Sequence, residues 1–158
     1  MFKLNAFTFG TDTATLCVYD PAVISHRVDD SVDWWSLPEE ELLEVNSGTA
    51  FICGLQSDGV YKVILNSSAT STSGGVSALL LVVSGLVYIG AGEDLPGGGR
   101  SPNPQSPLLS GRFLKLPSGV YLVSATIADI SSIYLSLSRS DGDAKNSFHS
   151  QLLLVDAP

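Results

Sequence analysis

Histidine and cysteine are nearly missing from this chain, and positive charge is thin. There are two histidines, His26 and His149, and two cysteines, Cys17 and Cys53, with eight basic residues against sixteen acidic ones. No Cys-x-x-Cys or His-x-x-x-His pair offers a zinc site. The run Gly97-Gly98-Gly99-Arg100-Ser101 lacks the Lys-Ser/Thr ending of a phosphate-binding loop, and no Gly-x-Ser-x-Gly elbow occurs. Asp141-Gly142-Asp143 with Asn146 supplies hard oxygen ligands but not the closing glutamate of a calcium loop, so it reads as a solvated turn. With no legible nucleophile–base pair, the expectation is a protein without catalytic residues, metal or cofactor. Asn66-Ser67-Ser68 matches a glycosylation acceptor, which carries little weight without a secretory signal.

The formal charge of −8 repels nucleic acid and anionic lipid and attracts basic partners, so direct nucleic-acid binding is not expected. The longest apolar stretch, Ala78–Val83 followed by Leu86–Ile89, is broken by Ser84-Gly85 and is too short to cross a bilayer. The N-terminal residues Met1 to Asn5 lack the apolar core of a signal peptide, and the expected location is the cytoplasm. A disulfide framework needs more cysteines than two. Cys17 and Cys53 each lie in an apolar strand-like run, where a free thiol packs as a small hydrophobe. Whether they pair is left open.

The residues that are present favour strands. Thr13–Tyr19, Val120–Ile127 and Ile133–Ser138 alternate apolar and polar side chains with period two. Further strands are predicted over Thr49–Gln56, Val60–Asn66, Val76–Val83, Leu86–Ala91, Phe113–Leu116 and Gln151–Asp156. Asp58-Gly59, Ser84-Gly85 and Ser118-Gly119 punctuate them, and Asp58-Gly59 suits a type I′ hairpin. Nine or ten short strands in 158 residues predict one all-β domain over residues 1–158, an antiparallel, jelly-roll-like sandwich. Phe51–Val63 and Phe113–Val123 share a strand, a glycine turn and Gly-Val-Tyr-x-Val, which suggests an internal duplication. Gly92–Arg112 is a long Gly/Pro-rich connection, of a kind that is usually functional or mobile.

One helix is predicted over Leu37–Val45. Ser36 is placed to cap it in a Ser-x-x-Glu box with Glu39, Pro38 fits the first turn, and Leu42, Leu43 and Val45 are the residues that could face the sheet. Around it lies the chain's most unusual composition. Asp29, Asp30, Asp33, Glu39, Glu40, Glu41 and Glu44 are seven of the sixteen acids, and no base occurs from Val28 until Lys62. Trp34-Trp35, the only tryptophans, stand among them, one expected to anchor the segment inward and the other to face solvent. An aromatic ringed by carboxylates is the composition of a hot spot for a cationic protein. Glu93 and Asp94 extend the set if the loops meet.

Asp33-Trp34-Trp35-Ser36 leading into an acidic helix, then Asn46-Ser47-Gly48, Ser57-Asp58-Gly59-Val60-Tyr61, the stretch Val87 to Gly97 and Ser118-Gly119-Val120-Tyr121 together resemble a family of small bacterial all-β proteins. Its members are similar to immunity proteins encoded beside secreted antibacterial toxins, including those of type VI secretion. The resemblance covers about residues 28–125 and carries no binding motif to map. It implies a stoichiometric inhibitor of a cognate toxin, a basic nuclease being the kind an acidic surface would cover. The alternatives are a carbohydrate-binding module, with tryptophan and tyrosine stacking on sugar, and a structural subunit of a phage or secretion apparatus.

Overall fold

The computed structural model describes residues 6–66, 75–105 and 109–155. Two five-stranded sheets face each other, with strand order β1-β4-β9-β8-β5 in one and β10-β3-β2-β6-β7 in the other. The strands are β1 (Ala6–Thr11), β2 (Thr15–Tyr19), β3 (Phe51–Gly54), β4 (Gly59–Asn66), β5 (Val76–Val82), β6 (Leu86–Ala91), β7 (Arg112–Lys115), β8 (Gly119–Asp129), β9 (Ser132–Ser140) and β10 (Leu152–Leu153). The expected all-β sandwich with one short helix is what forms. Pairing is mixed rather than purely antiparallel, because β4 runs parallel to β9 and β10 parallel to β3. Asn66-Ser67-Ser68 lies largely outside the described residues, as does Asp156 at the end of the last predicted strand, of which only Leu152–Leu153 forms β10.

The strand order maps onto itself when β1–β4 are exchanged with β5–β8. The pairs β1·β4 and β5·β8 are antiparallel, as are β2·β3 and β6·β7, and β2 pairs with β6 at the centre. β9 is inserted between β4 and β8, and β10 is added outside β3. The repeated Gly-Val-Tyr motif sits at equivalent corners of this arrangement. At each one the chain leaves one sheet and enters the other, from β3 to β4 and from β7 to β8.

These corners correct the expectation of a hairpin at Asp58-Gly59, since β3 and β4 belong to different sheets. Gly59 and Gly119 have φ of +148° and +154°, values open to glycine and not to a residue with a side chain. In both corners the tyrosine hydroxyl, two residues after the glycine, donates back four residues. Tyr61 Oη reaches the Ser57 carbonyl at 2.5 Å, and Tyr121 Oη reaches the Pro117 carbonyl at 2.6 Å. The Ser84-Gly85 turn likewise joins β5 of one sheet to β6 of the other.

Every residue of β2 is buried, as are five of the six in β6, so both faces of this part of the sheet are covered. The register sets Cys53 opposite Leu16 and Cys17 opposite Ile52. The two cysteines therefore point to opposite faces of the sheet, and both are free and buried.

The helix α1 spans Pro38–Asn46, but its cap is not the one expected. A proline disfavours helical backbone in the residue before it. Leu37 is accordingly extended (φ −83°, ψ 120°) and serves as the N-cap without a side-chain bond. Ser36 instead ends a 3-10 turn, Trp34–Ser36, and its hydroxyl donates to the Asp33 carbonyl at 2.7 Å. The inward face of α1 also differs from expectation. Val45 is buried, but its companions are Glu41 and Glu44, while Leu43 is exposed. Asn146 fastens the helix C-terminus to β5, its amide donating to the Val45 and Leu79 carbonyls and its oxygen accepting from Leu79 N–H. That role accounts for Asn146 without a cation.

Candidate interaction surface

The two long connections, residues 20–50 and 92–111, are equivalent under the strand exchange, and they dock on each other. Gly98 and Gly99 donate to the carbonyls of Asp30 and Val28, both at 2.7 Å, and Trp34 Nε1 donates to the Pro96 carbonyl at 2.6 Å. An added Cβ at Gly97 would lie 2.9 Å from the Ser31 carbonyl oxygen, so the backbones approach at glycine distance. Far from hanging free, the described part of the Gly/Pro-rich connection folds into a 3-10 turn at Gly92–Asp94 and a Gly97–Arg100 bridge. Tyr19 Oη donates to the Asp94 carbonyl at 2.6 Å, and Tyr88 Oη donates to the Asp94 carboxylate. Paired tyrosines of β2 and β6 thus tie this layer to the sheet.

The acidic cluster is less bare than its sequence. Arg27, just outside the base-free window, folds in and is buried. Its guanidinium donates to Glu44 and Glu40 at 2.8 Å and to Asp30 at 3.0 Å, and lies 4.3 Å from the centre of the Trp34 ring. Desolvation opposes the Arg27 charge, but the three carboxylates outweigh it and hold its pKa above the ordinary value. Glu44 also accepts from Thr49 Oγ1 at 2.5 Å and lies within 3.0 Å of His26 Nε2. Burial favours its neutral form, yet the bonds from Thr49, His26 and Arg27 prevail and lower its pKa.

Both tryptophans are buried, Trp34 to 2% and Trp35 to 7% exposure, so the expected solvent-facing aromatic is not there. Each indole N–H is needed inside, with Trp35 donating to the Val32 carbonyl at 3.1 Å. Glu93 holds the β1–β2 corner, accepting from Thr11 and Thr13 hydroxyls and from Asp12 N–H. Burial would raise its pKa, but those donors lower it. Asp94 goes the other way, its pKa raised by burial despite the Tyr88 bond.

Glu41 is the odd carboxyl. It faces inward from α1, and burial pushes its pKa up to about 7, only partly offset by a bond from the Gln151 side chain. Four glutamates on one short helix therefore occupy four environments: Glu39 exposed, Glu40 half-buried on Arg27, Glu41 buried, and Glu44 buried on Arg27, His26 and Thr49. Between the ordinary value near 4.5 and about 7 the folded chain binds a proton at Glu41 that the unfolded chain releases. This stabilisation is complete below the lower value and is lost as pH rises through the upper one. Glu41→Gln should therefore be nearly neutral at pH 5 and, by about 2 kcal/mol, more stable than the parent at pH 8, read from denaturant melts at the two pH values. Equal stability differences at both would refute the assignment.

After this pairing, Asp29, Asp33 and Glu39 remain exposed on the connection. Beside them in sequence Val32 (62%), Leu37 (51%) and Leu43 (55%) show large apolar side chains to solvent. Among the described residues no group of three His, Cys, Asp or Glu side chains is placed to hold a metal. No described helix is long and apolar enough to cross a membrane.

These features define a two-sheet β-sandwich whose paired connections carry an acidic, partly apolar surface. The chain belongs to the family described as "Family of unknown function (DUF6386)", whose sequence profile matches residues 3–154. No curated protein matches it. Among solved structures it is similar to the chain titled "Crocagin biosynthetic gene J", with TM-score 0.54 and 14% identity over 87% of this chain and 97% of that one. It is also similar to ComJ from Bacillus subtilis, an inhibitor of the DNA-degrading activity of NucA, with TM-score 0.53 and 15% identity over 87% and 96% of the two chains. At these identities the likeness concerns the fold.

Proposed function

We propose that this protein is an immunity-type inhibitor that binds a basic nuclease toxin stoichiometrically and covers its cationic nucleic-acid cleft. The observation that carries the reading is the exposed set Asp29, Asp33 and Glu39 interleaved with exposed Val32, Leu37 and Leu43 on one braced connection. Carboxylates steer a cationic partner, and apolar side chains supply the desolvated contact. The fold shared with an inhibitor of a DNA-degrading protein supports it. The sequence resemblance to type VI immunity proteins makes a toxin of that secretion route the finer proposal, met in the cytoplasm. Sugar binding is disfavoured because both tryptophans are buried and offer no stacking platform.

The test is association with the proposed partner, a nuclease toxin sought among the neighbouring genes. Asp29→Asn/Asp33→Asn/Glu39→Gln should slow association by roughly tenfold or more without lowering the melting temperature. Raising salt from about 0.1 M to 1 M, which cuts the Debye length from about 10 Å to 3 Å, should do the same to the parent. A neutral variant that binds as fast as the parent, with no salt effect, would assign these acids to solvation alone.

A further inference from the structure

Where the two connections meet, a cavity of about 300 Å³ is lined by Val32, Glu93, Asp94, Leu95, Arg100 and Leu109, among others. Its size is at the low end of small-ligand sites, ample for one long side chain. The rim is braced by the backbone bonds from Gly98 and Gly99 to Asp30 and Val28, so the cavity exists before any partner arrives. Its walls are apolar at Val32, Leu95 and Leu109, and carboxylates stand at Glu93 and Asp94.

We infer that this cavity is a socket for an arginine or lysine side chain presented by a protein partner. The aliphatic stem of such a residue packs on Val32, Leu95 and Leu109 while its charged head meets the carboxylates, the way long cationic side chains divide between apolar and polar surroundings. Guanidinium is favoured, because its forked donors suit a carboxylate. The Glu93 oxygens already accept from Thr11, Thr13 and Asp12, whereas Asp94 accepts the Tyr88 and Ser110 hydroxyls through Oδ2 alone, so Asp94 is the group with more to gain. Burial penalises the Asp94 charge, and an incoming cation relieves that penalty. Arg100 lies at the mouth, is exposed, and forms no ion pair among the described residues, so a guest cation requires it to turn outward.

The inference deepens the proposed function by naming the pocket that takes the partner's anchoring residue, and it rests on that reading for its biological partner. Its test needs no toxin. The probes are a tetra-arginine peptide amide, the same peptide with citrulline, which is neutral and of nearly equal shape, and a tetraglutamate peptide. Amide chemical shifts of the full chain are followed during titration of each. Tetra-arginine should give saturable shifts centred on Glu93–Gly97 and Leu109, and the citrulline peptide should bind at least tenfold more weakly. Asp94→Asn, which keeps an acceptor for Tyr88, and Ser101→Trp, which fills the mouth without changing charge, should each weaken tetra-arginine at least tenfold. Shifts spread equally over Asp29, Asp33 and Glu39, unchanged by either variant, would mean diffuse attraction and overturn the socket. Tetraglutamate bound through Arg100 would overturn it too. A socket that fails while the toxin is still inhibited leaves the proposed function standing, and a socket that binds arginine beside an uninhibited toxin leaves the socket standing.

Discussion

Arg27→Ala is expected to cost about 4 kcal/mol, the range found when one partner of a buried charge pair is removed. Arg27 is 7% exposed, and its guanidinium bonds three carboxylates and lies against Trp34. Without it Glu44, 3% exposed, keeps only Thr49 and His26. Asp30 and Glu40 also lose the cation that gathers them, and the Trp34 ring loses its cover. For a domain of this size about 2–4 °C of melting temperature follows each kcal/mol, so a fall of about 10 °C is expected. Arg27→Lys should recover only part, because an ammonium cannot span three carboxylates in the plane of a fork. Chemical denaturation followed by circular dichroism measures both. A loss under about 1 kcal/mol would mean that the pairs behave as exposed surface ion pairs.

Asp20→Ala is the second large effect. Asp20 is fully buried at the end of β2, and its carboxylate accepts from the N–H groups of Ala22, Val83 and Ser84 and from the Ser84 hydroxyl, at 2.7–2.9 Å. It thereby clamps the β5–β6 corner to the start of the first long connection. Alanine strands those donors, and a loss of about 3 kcal/mol is expected, with Asp20→Asn intermediate because one acceptor oxygen survives. Amide hydrogen exchange at Val83 and Ser84 should accelerate in the alanine variant more than at the β8–β9 pairing. Unchanged exchange there, with a small stability loss, would show that the corner holds without the clamp.

The sandwich was legible because period-two alternation survives wherever one strand face meets the core, as in β8, where alternate residues from Tyr121 to Ala125 are buried. It was least legible in β1, Ala6–Thr11, for which the sequence predicts no strand, because buried Phe7 and Phe9 make only a short alternation before Gly10. The glycine turns are visible in the sequence, but their role is not. A short glycine signal marks a reversal, but only the pairing partners decide whether the chain returns in the same sheet or crosses to the other. The helix was placed within a residue at each end, while Pro38 overrode the Ser36 cap through its effect on Leu37.

The candidate site was legible in composition and not in detail. A base-free window counts sequence neighbours, and Arg27 lies just beyond its edge, yet it meets Asp30, Glu40 and Glu44 in space. The paired tryptophans read as a hot spot because exposure cannot be seen in sequence. Their indole donors, each satisfied by a backbone carbonyl, place them as the fastening of the connection instead. The cavity beside Asp94 had one available signal, the Gly97-Gly98-Gly99 run, whose use is the close approach of two backbones.

The most direct test of the proposed function is a DNA-degradation assay of its proposed partner, a nuclease toxin sought among the neighbouring genes, titrated with the purified chain at low salt. Inhibition should be complete near one molar equivalent and should need a higher concentration of the chain when Asp29, Asp33 and Glu39 are neutralised. Undiminished DNA degradation at a tenfold excess of folded protein would contradict the account.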